Sequence, residues 1–108
     1  MNAFDETPLR ALQLFEPDTH AIYTIETAAR LVHLPRRTIL VYCKHGLVSP
    51  IEHPECGGYC FNDEAIRDLR RIEYLRTVCG INLVGIKMIL RLMNEAERLR
   101  TEMRSRYA

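Results

Sequence analysis

The chain lacks the features that define several large protein classes. No apolar run approaches the roughly 20 residues that cross a bilayer, and the N-terminal MNAFDETPLR has no basic stretch followed by an apolar one. We therefore expect a cytoplasmic protein with neither a membrane segment nor a secretory signal. Its 15 lysines and arginines nearly balance 14 aspartates and glutamates, which excludes attraction of the whole molecule to a polyanion. Any nucleic-acid binding must depend on a local basic patch.

Motifs for catalysis are also missing. The sequence contains no Gly-x-Ser-x-Gly elbow, no glycine-rich phosphate loop and no His-Glu-x-x-His. Cys43 lies near His45 along the chain, but no third group is placed to orient such a pair. The 108 residues suffice for one domain with a modest core. We therefore expect a protein that is not an enzyme and has no cofactor.

The four cysteines are expected to be reduced thiols, because nothing indicates a secreted protein. His53, Cys56 and Cys60 follow one another at spacings of three and four, and thiolates with imidazole suit Zn²⁺. No fourth ligand is obvious unless Cys43 or His45 folds back. We therefore expect no metal site, with Cys56 an exposed loop thiol.

Two short helices are predicted after an acidic leader over residues 1–21. Thr24 can cap the first helix, whose apolar positions follow a 3.6-residue period. Pro35 suits the first turn of the second, and Gly46 its C-terminal end. Helices separated by about three residues are typical of a helix-turn-helix unit, whose second helix usually enters a DNA groove.

The remaining chain is expected to complete a winged domain over residues 22–82 and a long helix over 83–108. Leu47-Val48 and Tyr59-Cys60-Phe61 bracket a turn-rich segment, which predicts a β-hairpin wing. Asn62 or Asp63 can cap a third helix ending near Gly80, and Asn82 a fourth running from Leu83 past Arg100. The fourth helix is longer than the small core that it packs against, so the apolar stripe on its C-terminal part, called the seam, has to be covered by another surface. A homodimer is therefore expected. The seam consists of Leu92, Ala96, Leu99 and Met103.

A series of short motifs runs in order through residues 22–103. They are Tyr23-Thr24-Ile25, Ala28-Ala29, Arg37-Thr38, Tyr42, Gly46-Leu47-Val48-Ser49-Pro50, Gly58-Tyr59 and Phe61-Asn62. In this order the chain resembles the N-terminal domain of MerR-superfamily winged-helix proteins. The resemblance implies a mostly α fold: a MerR-type winged helix-turn-helix with a small β-hairpin wing and a long C-terminal dimerisation helix.

The segment from Gly80 to Ile86, with the apolar positions that follow it, is similar to two branches of the superfamily. One comprises its heat-shock repressors, and the other the CbpM-like chaperone modulators that bind J-domain co-chaperones. DNA-binding members usually have Thr-Leu-Arg-Tyr-Tyr-Glu-Arg in the second helix, whereas this chain has Leu40 and Val41 in place of an Arg and a Tyr. Cys60 stands where wings commonly carry another Arg, and residues 51–55 include two acids.

Each missing arginine removes a phosphate clamp or a base contact, the latter contributing roughly 1–3 kcal/mol of discrimination when bidentate. These departures favour a non-enzymatic chaperone modulator that blocks the surface of a J-domain co-chaperone. The alternative is a MerR-family DNA-binding transcription regulator, similar to the heat-shock repressors.

Both hypotheses assign candidate residues. Those for duplex DNA are basic or polar residues of the second helix and one aromatic residue of the wing: Arg36, Arg37, Thr38, Tyr42, Lys44, His45 and Tyr59. Those for a protein partner lie on the third and fourth helices and are of types enriched at interfaces: Arg70, Arg71, Tyr74, Met88, Arg91 and Glu95.

Overall fold

The computed structural model describes residues 21–107, apart from the side chains of Glu55 and Tyr107. The elements follow in the order β1 (Ile22–Thr24), α1 (Ile25–Val32), α2 (Arg36–Lys44), β2 (Ile51–His53), a 3₁₀ turn (Pro54–Cys56), β3 (Gly58–Asn62), α3 (Asp63–Glu73), a π-helical turn (Tyr74–Val78) and α4 (Leu83–Tyr107). The predicted acidic leader lies, except for Ala21, outside these residues. The mostly helical winged arrangement expected from the sequence is confirmed.

The helix-turn-helix forms because each helix end has a defined local signal. The Thr24 hydroxyl accepts a hydrogen bond from the Thr27 N–H at 3.2 Å, which caps α1. The helix ends at His33, which takes a left-handed conformation at φ 57°. Pro35 then precedes α2 in an extended conformation, so α1 and α2 are joined by a three-residue turn, as predicted.

The small sheet has three antiparallel strands in the order β1–β3–β2. The predicted β-hairpin wing is confirmed as the antiparallel pair β2 and β3, but the prediction that its first strand includes Leu47-Val48 is wrong. Both residues are buried in the core, whereas successive residues of an exposed strand point to opposite faces; the first strand of the wing starts later, at Ile51. The third strand, β1, is only three residues long and is held by its pairing with β3. A segment this short shows no alternation of apolar and polar residues from which a strand could be predicted.

The wing is closed by a disulfide bond between Cys56 and Cys60. The expectation that all four cysteines are reduced is therefore wrong for this pair, as is the expectation of a loop thiol at Cys56. The physical reason is the tight turn between β2 and β3, which brings the two Cα atoms to 6.0 Å, a separation that a disulfide spans. Cys43 and Cys79 are free thiols.

Helix α3 presents its predicted apolar stripe to the core. The Asn62 side chain accepts a hydrogen bond from the Ala65 N–H at 2.9 Å and caps the helix; Ile66, Leu69 and Ile72 are each at most 2% exposed. The helix then widens into the π-helical turn and ends at Gly80, whose φ of 68° suits glycine. Asp63, the other residue predicted as a possible cap, is buried and accepts a hydrogen bond from the Tyr23 hydroxyl at 2.7 Å.

Helix α4 is 25 residues long, or about 37 Å, and only its first half packs on the core. Asn82 caps it by accepting a hydrogen bond from the Gly85 N–H at 2.9 Å. Ile86 and Leu90 are buried among the core residues. Further along, Glu97 replaces apolar contact by ion pairs with Arg67 at 2.9 Å and with Arg71. These pairs fasten α4 to α3.

Replacing Glu97 by Gln should lower the free energy of unfolding by about 1–2 kcal/mol. The reason is that Arg71 is fully buried. A buried guanidinium loses more stabilising interaction energy than an exposed one when its carboxylate partner is replaced by a neutral group. Glu102→Gln is the matched control, since Glu102 pairs with Arg98 on an exposed part of the same helix and should cost less than about 0.5 kcal/mol. Urea denaturation at equal protein concentration measures both; equal losses would contradict the role of Glu97.

Candidate nucleic-acid interface

The outer face of α2 is the most basic surface of the helix-turn-helix. Ile39 and Tyr42 turn inward, at 0% and 3% exposure, and form the buried side of the helix. The side chains on the opposite side are exposed and include no carboxylate. They are Arg36, Arg37, Leu40, Val41 and Lys44, followed by His45 at the end of the helix.

Arg36 already has a partner, because it forms a 3.2 Å salt bridge with Glu26 of α1. Both side chains are more than 60% exposed, so the pair contributes little stability and competes weakly with a phosphate. Arg37 and Lys44 lie on the same outer face. The start and the end of α2 therefore each present cations to a ligand.

Tyr42 needs a corrected role. It was predicted to contact DNA, but its hydroxyl donates a 2.6 Å hydrogen bond to Oε2 of Glu73, and the ring is buried. Burial, together with this hydrogen bond, raises the pKa of the Tyr42 phenol. Glu73 is held in turn by Arg76 at 3.1 Å. Tyr42 therefore fixes the position of α2 on α3 rather than facing a ligand.

The wing offers one of the predicted residues to solvent. Tyr59 on β3 is 49% exposed, so its ring is accessible to a ligand. Cys60 is fully buried in the disulfide and is inaccessible to a phosphate. Glu52 on β2 is exposed and would repel a phosphate next to it. The strands β2 and β3 carry no lysine or arginine, whereas α2 carries three.

The surface predicted for a protein partner is only partly accessible. Arg71 is 0% exposed and is ion-paired with Glu97, so it has to be removed from the residues that can meet a partner. Tyr74 is half-buried, whereas Arg70, Met88, Arg91 and Glu95 are at least partly exposed. Glu95 is paired with Arg98, whose hydrogen bond lowers the pKa of the Glu95 carboxyl.

The predicted seam of α4 is exposed along its whole length. Leu92, Leu99 and Met103 are 69%, 47% and 58% exposed, and Ala96 is exposed as well. The same stripe continues toward the N-terminus through Met88 and Val84, which are 61% and 73% exposed and precede Leu92 by four and eight residues. Met88, which was predicted to meet a protein partner, therefore lies on the same exposed stripe as the predicted seam.

The sequence-based prediction missed that three charged side chains of α3 are buried or largely buried: Asp63, Asp68 and Arg71. Asp68 is largely buried, although carboxylates are rarely so; it precedes Ile72 by four residues and Leu75 by seven, so its place on the apolar stripe is a signal that could have found it. Arg71 precedes Leu75 by four and could have been placed inside by the same argument. The exposed aliphatic pair Leu40 and Val41 was visible in the sequence only as the absence of an arginine and a tyrosine at these positions.

The geometry defines a winged helix-turn-helix protein with a basic outer face on its second helix. Comparison with known proteins agrees: residues 23–93 match the MerR HTH family regulatory proteins, and the chain belongs to this family. It is 37% identical over 78 residues to the heat shock protein HspR of Streptomyces coelicolor. That match covers 72% of this chain and 51% of the relative, so the chain spans about half the length of the relative.

Two observations on the described residues bear on other classes of function. Among residues 21–107, no three histidine, cysteine, aspartate or glutamate side chains cluster in a way that could hold a metal ion. Of the three candidate zinc ligands, Cys56 and Cys60 are joined to each other in the disulfide. Within the same range, no helix combines the length and the apolar character that crossing a membrane requires.

Proposed function

We propose that this chain is a homodimeric, DNA-binding transcription regulator of heat-shock-repressor type that acts in the cytoplasm, without enzymatic activity or a cofactor. The observation that carries the proposal is the outer face of α2, where Arg36, Arg37 and Lys44 are exposed; α2 itself carries no carboxylate, although Glu26 of α1 pairs with Arg36. Cations at the two ends of a helix suit the phosphates on either side of a DNA groove. The similarity to HspR favours the same function.

Dimerisation is part of the proposal because it supplies the second recognition helix. The exposed stripe on α4 is long and apolar, and it does not overlap the side of α4 that packs on the core. Covering it with the same helix of a second copy would bury both stripes at once. Two copies of α2 would then address two half-sites on one duplex.

The chaperone-modulator hypothesis is not supported by the comparisons, which return a family of regulatory proteins and an HspR relative. Some residues assigned to a J-domain partner, such as Arg70 and Arg91, are exposed. Their exposure is the only observation in favour of that assignment. The alternative, a DNA-binding regulator, is therefore the function we propose.

Purified protein should bind a fluorescein-labelled duplex taken from the DNA directly upstream of its own gene. In anisotropy titrations, the logarithm of the affinity should fall linearly with the logarithm of the salt concentration. Arg37→Ala should weaken binding about tenfold and make the salt slope shallower by about 1, because one phosphate is no longer neutralised. Arg104→Ala, which removes the same charge near the far end of α4, is the control and should bind like the wild type.

Two outcomes would count against the proposal. Absence of binding to any duplex at low salt rejects DNA binding altogether. Equal affinities of Arg37→Ala and the wild type would place the interface somewhere other than α2.

A further inference from the structure

The middle of the outer face of α2 is apolar. Leu40 is 38% and Val41 is 43% exposed, and both lie on the side opposite the buried Ile39 and Tyr42. Arg36 precedes Leu40 by four residues and Arg37 precedes Val41 by four, so each aliphatic side chain lies one helical turn beyond an arginine. Lys44 lies one turn further on from Leu40. The face therefore has cations at its ends and branched aliphatic groups between them.

The dimensions of this face match a DNA groove. Eight residues separate Arg36 from Lys44, which corresponds to about 12 Å along the helix axis. The major groove of B-DNA is also about 12 Å wide. Cations at the two ends can therefore reach the phosphates that border the groove, which leaves Leu40 and Val41 facing the base edges.

Leu40 and Val41 have no hydrogen-bond donor or acceptor in their side chains, so they cannot read the polar pattern of the groove. The apolar feature that a base presents there is the 5-methyl group of a pyrimidine, which thymine carries and cytosine acquires on methylation. Contact with that methyl group removes apolar surface of both partners from water. A protein surface could also cover two aliphatic residues, but the surrounding cations, with no acid on α2, favour a polyanion.

We propose that Leu40 and Val41 read pyrimidine 5-methyl groups in the major groove, so that the preferred sites of this protein carry thymine opposite the middle of α2. The inference rests on the proposed DNA-binding function and names the chemistry by which a site is chosen. An arginine reads guanine through hydrogen bonds to its N7 and O6 atoms. Here the same region of the helix selects a base by shape and apolar contact.

The test begins with a random duplex library from which the wild-type protein selects its preferred sequences. The most enriched duplex is then synthesised with thymine and with deoxyuridine, which differs from thymine only by the missing methyl group. Each contacted methyl should add about fourfold in affinity, so loss of two should weaken binding by about tenfold or more. The Leu40→Ala/Val41→Ala variant, which cannot reach the methyl groups, should discriminate less than about threefold.

Leu31→Ala is the matched control, since Leu31 is an exposed aliphatic residue, 39% accessible, on α1 rather than α2. It should retain the full preference for thymine. Duplexes with cytosine or 5-methylcytosine at the same positions distinguish the two sources of the methyl group. A preference for thymine over deoxyuridine without one for 5-methylcytosine over cytosine supports thymine as the source, and both preferences together support methyl recognition on either base.

The inference fails if the protein selects and binds a duplex in a salt-dependent way but binds its deoxyuridine form equally well; DNA binding itself then stands. It also fails if replacing thymine by deoxyuridine lowers the affinity of the double alanine variant by as large a factor as it lowers that of the wild type. No selection of any duplex at low salt would instead reject the proposed function, and this inference with it.

Discussion

Leu92→Glu combined with Leu99→Glu should convert the proposed dimer to a monomer of 12.6 kDa at micromolar concentration. Both side chains are exposed in the single chain, at 69% and 47%, so the substitutions should leave the hydrophobic core of the domain intact. In the proposed dimer they are buried against the second copy of α4, where four unpaired carboxylates per dimer would repel one another and lose hydration. Sedimentation equilibrium of wild type and variant measures the change directly.

The same variant should bind DNA at least about a hundredfold more weakly, because two linked recognition helices gain from effective concentration and a single helix does not. Leu31→Glu, which places the same charge on an exposed aliphatic position of α1, should remain dimeric. A double glutamate variant with the sedimentation mass of the wild type would show that the stripe of Leu92 and Leu99 is not the dimer interface.

Replacing Asp68 by Asn should remove a destabilising buried charge above pH 6. Asp68 lines a cleft of about 530 Å³ between α3 and α4, and among the described residues its Oδ1 has no hydrogen-bond partner. The nearest guanidinium nitrogens, of Arg71 and Arg67, lie at 3.8 and 3.9 Å. Burial outweighs their attraction and raises the pKa of Asp68 from 3.8 to about 6, helped by the nearby carboxylates Glu64 and Glu97.

The sign follows from the direction of that pKa change. Between pH 3.8 and about 6, the folded chain holds a proton on Asp68 that the unfolded chain has released, so stability falls as the pH rises through this window. From about pH 4.5 to pH 8, the wild type should lose about 2 kcal/mol of unfolding free energy relative to Asp68→Asn.

Urea denaturation across that pH range gives the difference between the two curves. Glu52→Gln on the exposed wing should run parallel to the wild type, because its substitution leaves Asp68 unchanged. Parallel curves for the wild type and Asp68→Asn would contradict the assignment of this pH dependence to Asp68.

Local sequence signals predicted the helices well because capping residues act within a single turn. Thr24, Asn62 and Asn82 each accept the hydrogen bond expected of a helix cap, and Gly80 takes the backbone conformation that ends α3 before α4 begins. The wing was predicted less well. Leu47 and Val48 are apolar and branched or bulky, which suits a strand and a buried turn equally, and only their packing distinguishes the two.

The candidate site was predicted only in part, because local sequence signals place residues on a helix but do not decide which side chains are buried. Residue type and spacing placed Arg36, Arg37 and Lys44 on the second helix, and the structure leaves all three exposed. Tyr42 and Arg71 were assigned to binding surfaces because of their residue types, although both are buried and hold partners on neighbouring elements. Their partners, Glu73 and Glu97, are 31 and 26 residues away along the chain, beyond the reach of any local pattern.

By itself, the sequence determined the order of the helices, their caps, the membership of the apolar stripes and the family to which the chain belongs. These properties depend on neighbours within a few residues, where hydrogen bonding and helical period act directly. Only the tertiary structure decided which charges are buried, that β1 joins the wing, that Cys56 meets Cys60, and which side of α2 faces outward. Those outcomes depend on contacts between segments far apart in the chain, and burial changes the free energy of a charged or apolar group only once the fold has enclosed it.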